Sequence, residues 1–244
     1  MGFSFGARWR EGPLRGVVSI AAGAGRKVGK GFWMGILVFG DSNSHGSEPV
    51  VRLGQSRRHP QEGRWPYVMA RALNREVIAE GHPGRTTVHD DPIEGAHKNG
   101  LRALPVALES HKPLDLVVIM LGTNDCKARY GLRGWDIAAG IGKLAQVVLA
   151  STAGPGGAAP DVLLVAPVPV EEAGVLAEMY QGGRARSRAI APALRDEAER
   201  LGCGFFDAGR IAAADPVDGV HLSAAAQAAL GMALAEAVEA RLGR

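Results

Sequence analysis

The sequence has only two cysteines, Cys126 and Cys203. Two thiols cannot supply the disulfide framework that staples a small secreted fold, so a reducing, cytoplasmic compartment is the expectation. Long apolar runs are also missing. The clearest one, residues 114–121 (LDLVVIML), is far short of the roughly 20 residues that span a bilayer, so no transmembrane helix is expected. There is no internal repeat, no coiled-coil heptad and no interdomain linker. No Gly-x-Gly-x-x-Gly or Walker pattern supports a nucleotide-binding module.

What is present fits one α/β domain. The chain has 244 residues, of which 46% are hydrophobic, enough for a large buried core. The formal charge of +3 is unevenly spread. Residues 1–33 carry Arg8, Arg10, Arg15, Arg26, Lys27 and Lys30 against Glu11, a charge of +5, which leaves the rest of the chain at −2. A mildly acidic body gives no reason to expect a nucleic-acid partner. The basic, Gly-rich 1–33 segment is read as a disordered or non-native extension. Its apolar stretch 17–24, flanked by basic residues, leaves a targeting role open. Met34 stands directly before the first strand-like run, so residues 34–244 are expected to form a single domain.

From there strand-like and helical patterns alternate. Residues 36–39, 77–79, 114–121, 162–166 and 204–206 read as strands. Residues 66–73, 99–110, 136–150, 184–201 and 223–242 read as helices, with Pro105 expected to break or kink the second of these. Ser223 is a good N-cap for the last. Strands that are apolar on both faces and alternate with helices imply a parallel sheet covered on both sides, a three-layer α/β/α sandwich. Ligand sites in such sheets lie at the carboxyl ends of the strands.

Four clusters carry the chemistry. Gly40-Asp41-Ser42 follows the first strand and can place a hydroxyl, and a helix-start N–H, at the sheet edge. Residues 81–87 (GHPGRTT) follow the second and bring a glycine backbone within reach of a ligand. Gly122-Thr123-Asn124-Asp125 follows the central strand; an asparagine amide is a neutral donor suited to an oxyanion. Asp218-Gly219-Val220-His221 precedes the last helix and offers a base with a carboxylate to hold its tautomer. Taken singly, each also fits a helix cap, a turn or a solvated loop.

In order and spacing, the four clusters resemble blocks I, II, III and V of the SGNH (GDSL-type) hydrolases, over roughly residues 36–242. Residues 84–87 (GRTT), 90–92 (DDP), 113–117 (PLDLV) and 120–125 (MLGTND) are similar to its bacterial arylesterase and acyltransferase branch. The resemblance implies the flavodoxin-like α/β/α fold of that family and a serine esterase acting on short-chain acetyl or aryl esters through an acyl-enzyme, with acyl transfer as an added activity. It implies Ser42 as nucleophile, His221 as general base and Asp218 as its orienting acid. It implies an oxyanion hole made of the Ser42 N–H, the Gly84 N–H and the Asn124 side chain. It implies no metal and no cofactor, a small-molecule ester as partner, and a homo-oligomer. Carbohydrate acetylesterase, lysophospholipase and a catalytically inactive binding module are the alternatives. One departure stands out. The branch reads GDSLTWG around the nucleophile, and this chain reads GDSNSHG, so His45 replaces the aromatic wall and is expected to border the substrate. His89, Asp90 and Asp91 are read as loop or interface residues, and Cys126 as a packing residue.

Overall fold

A computed structural model describes residues 35–243, so the 1–33 segment and Met34 lie outside the described residues. Five strands form one sheet: β1 (Gly35–Gly40), β2 (Val77–Gly81), β3 (Leu114–Met120), β4 (Asp161–Ala166) and β5 (Gly204–Asp207). Their spatial order is β2-β1-β3-β4-β5, and every neighbouring pair is parallel.

The inner strands β1, β3 and β4 are largely apolar because both faces are covered, and their alternate residues serve two separate cores. Ile36 and Val38 of β1 and Leu116 and Val118 of β3 pack with Trp65 and Met69 of α2 (Trp65–Leu73) and with Leu230, Leu234 and Val238 of α7 (Ala224–Leu242). Leu37, Phe39, Val117 and Ile119 face the other way. They meet Leu104 of α3 (Gly100–His111), Ile137, Ile141 and Leu144 of α4 (Gly134–Leu149), and Ile190 and Leu194 of α6 (Ile190–Leu201). Each such side chain removed from water contributes about 1.5–3 kcal/mol. The two cores make three layers. Among the described residues no helix is long and apolar enough to cross a membrane.

Two local expectations change. Helix α3 runs through Pro105 as one element. Pro105 is exposed, so its ring lies on the solvent side of the helix, and the helix loses one internal hydrogen bond without ending. Residues 184–201 are two helices, α5 (Gly183–Arg188) and α6, with Ala189 between them. Pro192 explains the division: it has no N–H to offer Arg188, but it is tolerated in the first turn of a new helix.

The chain winds from β1 outward to β2, then returns to the other side of β1 with β3. The order reverses there, and a crevice opens beyond the carboxyl ends of β1 and β3. The segments that follow β1, β2 and β3 all enter it.

Candidate active site

Strand β1 ends at Gly40, where a Cβ would lie 2.0 Å from the Ser44 Oγ, so the chain turns sharply at once. The next residues form a single helical turn, α1 (Ser42–His45), capped by Asp41, whose Oδ1 accepts from the Asn43 N–H at 2.9 Å. Ser42 is the first residue of the turn, so its own N–H has no acceptor within the helix. Asp41 is buried, and its Oδ2 makes no hydrogen bond among the described residues. Burial pushes this carboxyl up to about 6, against the lowering effect of the Asn43 N–H.

The Ser42 Oγ lies 3.1 Å from Nε2 of His221, and Nδ1 of the same ring lies 2.6 Å from Oδ2 of Asp218. Asp218 is fully engaged. Its Oδ1 accepts from the Val220 and His221 N–H groups, both at 2.9 Å, and its Oδ2 also accepts from the Val50 N–H at 2.7 Å. Burial alone would raise its pKa. The bonds from the His221 ring and from the Val50 and His221 main chain outweigh burial and hold it at about 2. It is therefore a carboxylate at neutral pH, and it fixes the proton of His221 on Nδ1, leaving Nε2 free to accept. The loop closes on itself through Gly219, which has φ +71°; a Cβ there would lie 2.0 Å from the Glu171 carbonyl oxygen.

The opposite wall comes from β2 and β3. Gly84 sits at φ +81° in the segment after β2 and lines the crevice. Asn124, after β3, donates through Nδ2 to the Arg85 carbonyl at 3.1 Å, while its Oδ1 accepts from Tyr180 Oη at 3.4 Å. Burial raises the Tyr180 phenol well above its ordinary range, so it stays a donor and orients the amide. The Arg85 guanidinium stacks 4.1 Å from the centre of the Phe39 ring and donates to the Gly40 carbonyl at 2.9 Å. Asp125 accepts from the Thr87 N–H at 3.0 and 3.1 Å and from its hydroxyl at 2.6 Å. The segment after β2 is thus pinned to the ends of both β1 and β3.

A cavity of about 220 Å³ joins the two walls. Ser42, Gly84, Asn124 and His221 line it, with Val50, Pro83, Leu176, Met179 and Tyr180 as its apolar part. Its polar rim holds Glu48 paired with Arg57, and Glu94 paired with Lys98 and Lys127. The structure therefore brings Ser42, Gly84, Asn124, Asp218 and His221 together. It does not bring His45 to them: His45 is not among the lining residues. The α1 turn carries it against the end of β2, where a Cβ on Gly81 would lie 2.3 Å from the His45 nitrogen.

The remaining candidates are engaged elsewhere. Asp90 pairs with Arg102 and Asn99, and Asp91 with Arg129 and Tyr130. His89 lies beside the Tyr130 ring. Burial pushes the Cys126 thiol far up, so it stays protonated among the core side chains. Sequence reasoning missed Tyr180, Arg85 and Asn43 as parts of the site. Their partners are far away along the chain, and no spacing rule points to them.

The model of the GDSL-like lipase/acylhydrolase family matches residues 38–229. The search of curated proteins gave no match. Among solved structures, Est24, a carbohydrate acetylesterase from Sinorhizobium meliloti, is 41% identical with a TM-score of 0.82, over 85% of this chain and 99% of that one. The inhibitor-bound aryl esterase of M. smegmatis is 39% identical with a TM-score of 0.81, over 85% and 99%. Another structure, of a carbohydrate acetylesterase family member from Sinorhizobium meliloti, is 40% identical with a TM-score of 0.79, over 86% and 100%. The family model spans most of the chain and these relatives match over nearly their whole length, so the chain belongs to the GDSL-like lipase/acylhydrolase (SGNH) family and is a carboxylic ester hydrolase.

Proposed function

We propose that Ser42 is the nucleophile of a short-chain esterase, with His221 as general base and Asp218 as the group that orients it. The observation that carries this reading is the unbroken hydrogen-bonded chain from Ser42 Oγ through His221 to Asp218. Nε2 takes the Ser42 proton as Oγ attacks the ester carbonyl. The developing oxyanion is met by the Ser42 N–H, the Gly84 N–H and Asn124 Nδ2. His221 then gives its proton to the leaving alcohol, and the acyl group stays on Ser42. Water, deprotonated by the same ring, attacks the acyl-enzyme and regenerates the serine. Asp218 stays ionised throughout and stabilises the imidazolium.

A cavity of about 220 Å³ suits acetyl and similarly short acyl groups. Its charged rim suits a polar alcohol part, which favours acetylated sugars as a second reading beside aryl esters, in line with the activity named for Est24. Transfer of the acyl group to an added alcohol, a homo-oligomeric state and a cytoplasmic location belong to the same proposal. The test is Ser42→Ala assayed on acetyl, butyryl and octanoyl aryl esters and on acetylated sugars. The folded variant is expected to lose at least about 10⁴-fold in kcat, and wild type is expected to favour the acetyl substrates. Near-wild-type turnover by folded Ser42→Ala overturns the assignment.

A further inference from the structure

Each arm of the Asn43 side chain reaches one neighbour of His221. Nδ2 donates to the Val220 carbonyl at 3.1 Å, and Oδ1 accepts from the Leu222 N–H at 3.1 Å. Only one orientation of the amide satisfies both bonds, so its rotation is fixed by what it holds. The main chain of Asn43 is held as well: its N–H goes to Asp41, and its carbonyl accepts from Gln227 Nε2 at 3.0 Å. Val220 and Leu222 are 2% and 0% exposed, so water cannot replace either arm. Along the chain, Ser42 and His221 are separated by 179 residues. Through Asn43, the nucleophile's immediate neighbour is bonded to the base's two immediate neighbours.

We propose that Asn43 is a positioning residue for His221, clamping the main chain on both sides of the base and thereby setting its distance from Ser42. The proposal rests on the reading of Ser42 as nucleophile. Two bonds flanking one residue fix the direction of its Cα–Cβ bond, and with it the place of the ring. Ser42 and Asn43 are adjacent, so any slack in the clamp appears at once in the Oγ–Nε2 separation. A misplacement of about 1 Å at such a pair costs on the order of 10²-fold in rate.

The test is Asn43→Leu, which keeps the volume and removes both arms. Two readouts are taken: steady-state kinetics, and the second-order rate of Ser42 labelling by a fluorophosphonate, which needs the Ser42–His221 pair but little of the ester pocket. Asn43→Leu is expected to lose about 10- to 100-fold in kcat and by the same factor in labelling, with KM within about twofold. Ser187→Ala is the comparison for a purely structural loss. The Ser187 hydroxyl is also buried and bonded twice, to the Val170 N–H and the Arg184 carbonyl. It should lower Tm while kcat and labelling stay within about twofold. Should Asn43→Leu not fold, Asn43→Asp, which keeps the acceptor and loses the donor, is read by the same criteria. A folded Asn43 variant with wild-type kcat and labelling overturns the proposal, as does an equal loss in Ser187→Ala. An active Ser42→Ala variant overturns the nucleophile reading instead; an inactive one beside a fully active Asn43→Leu overturns this inference alone.

Discussion

The two walls of the crevice are assembled differently. On one, Ser42 bonds to His221 and His221 to Asp218, so the proposed proton transfer runs across the first contact while the second holds the ring. On the other, Gly84 and Asn124 are held by a surrounding set of residues: Arg85 on the end of β1, Tyr180 on the Asn124 amide, and Asp125 on Thr87. A proton path needs its members in contact. An oxyanion hole needs donors converging on a point that is empty until the substrate arrives, so their positions must come from elsewhere. The first wall should therefore fail sharply when one member changes, and the second should fail by smaller steps.

The sharpest break is Asp218→Asn. The amide keeps one acceptor oxygen, but an N–H₂ in the place of Oδ1 faces the Val220 and His221 main-chain N–H groups, and one in the place of Oδ2 faces the Val50 N–H and His221 Nδ1, driving the ring toward the wrong tautomer. A loss of about 10⁴-fold in kcat is expected with the fold intact by circular dichroism. A loss under about 100-fold would mean that His221 is oriented mainly by its main-chain clamp. On the opposite wall, Asn124→Ala should lower kcat by about 10²–10³-fold, the usual loss for one oxyanion donor, with little change in KM. If KM rises and kcat holds, Asn124 binds substrate and the contrast between the walls disappears.

Asp41 lies between the walls, and pH is the way to probe it. Its carboxyl is held near 6 in the fold against 3.8 in the open chain. The folded protein therefore keeps the proton more tightly, and the associated stability is fully present below about pH 4 and lost as pH rises through about 6. The loss is on the order of 3 kcal/mol. Asp218 runs the other way: held at about 2, it contributes stability above about pH 4 and gives it up only in stronger acid. Asp41→Asn keeps the acceptor for the Asn43 N–H and removes the titration. Its Tm advantage over wild type should grow from about pH 4 to about pH 7. A constant difference across that range would show that the fold does not raise the Asp41 pKa.

The smallest effect is expected at His45, which lies outside the cavity. His45→Trp should leave the ratio of alcohol transfer to hydrolysis within about twofold of wild type, read from product ratios in buffer containing a primary alcohol. A clear rise would place the side chain at the mouth of the site after all.

Much of the fold was legible along the chain because the relevant forces are local. The apolar run at 114–121 read as a strand buried on both faces and is β3, and Ser223 caps α7 through the Ala226 N–H at 3.2 Å. The division at Ala189 was present in the sequence as Pro192, and the continuity of α3 through Pro105 was not. That depends on which side of the helix faces water, and only packing decides it.

The site divides in the same way. The sequence by itself determined which chemistry was available: a serine at a strand end, an Asp-x-x-His segment whose two side chains meet within one loop, and a glycine and an asparagine after two further strands. Tertiary structure decided what holds them. Asn43 meets Val220 at a separation of 177 residues, and Tyr180 meets Asn124 at 56. Bonds across such distances leave no periodicity or spacing to read. It also decided that His45 turns toward β2, because Gly81 leaves room there for the α1 turn to pack. A short-range pattern can specify a turn and the groups it carries, but the direction those groups finally face is set by the neighbours that the sheet brings alongside.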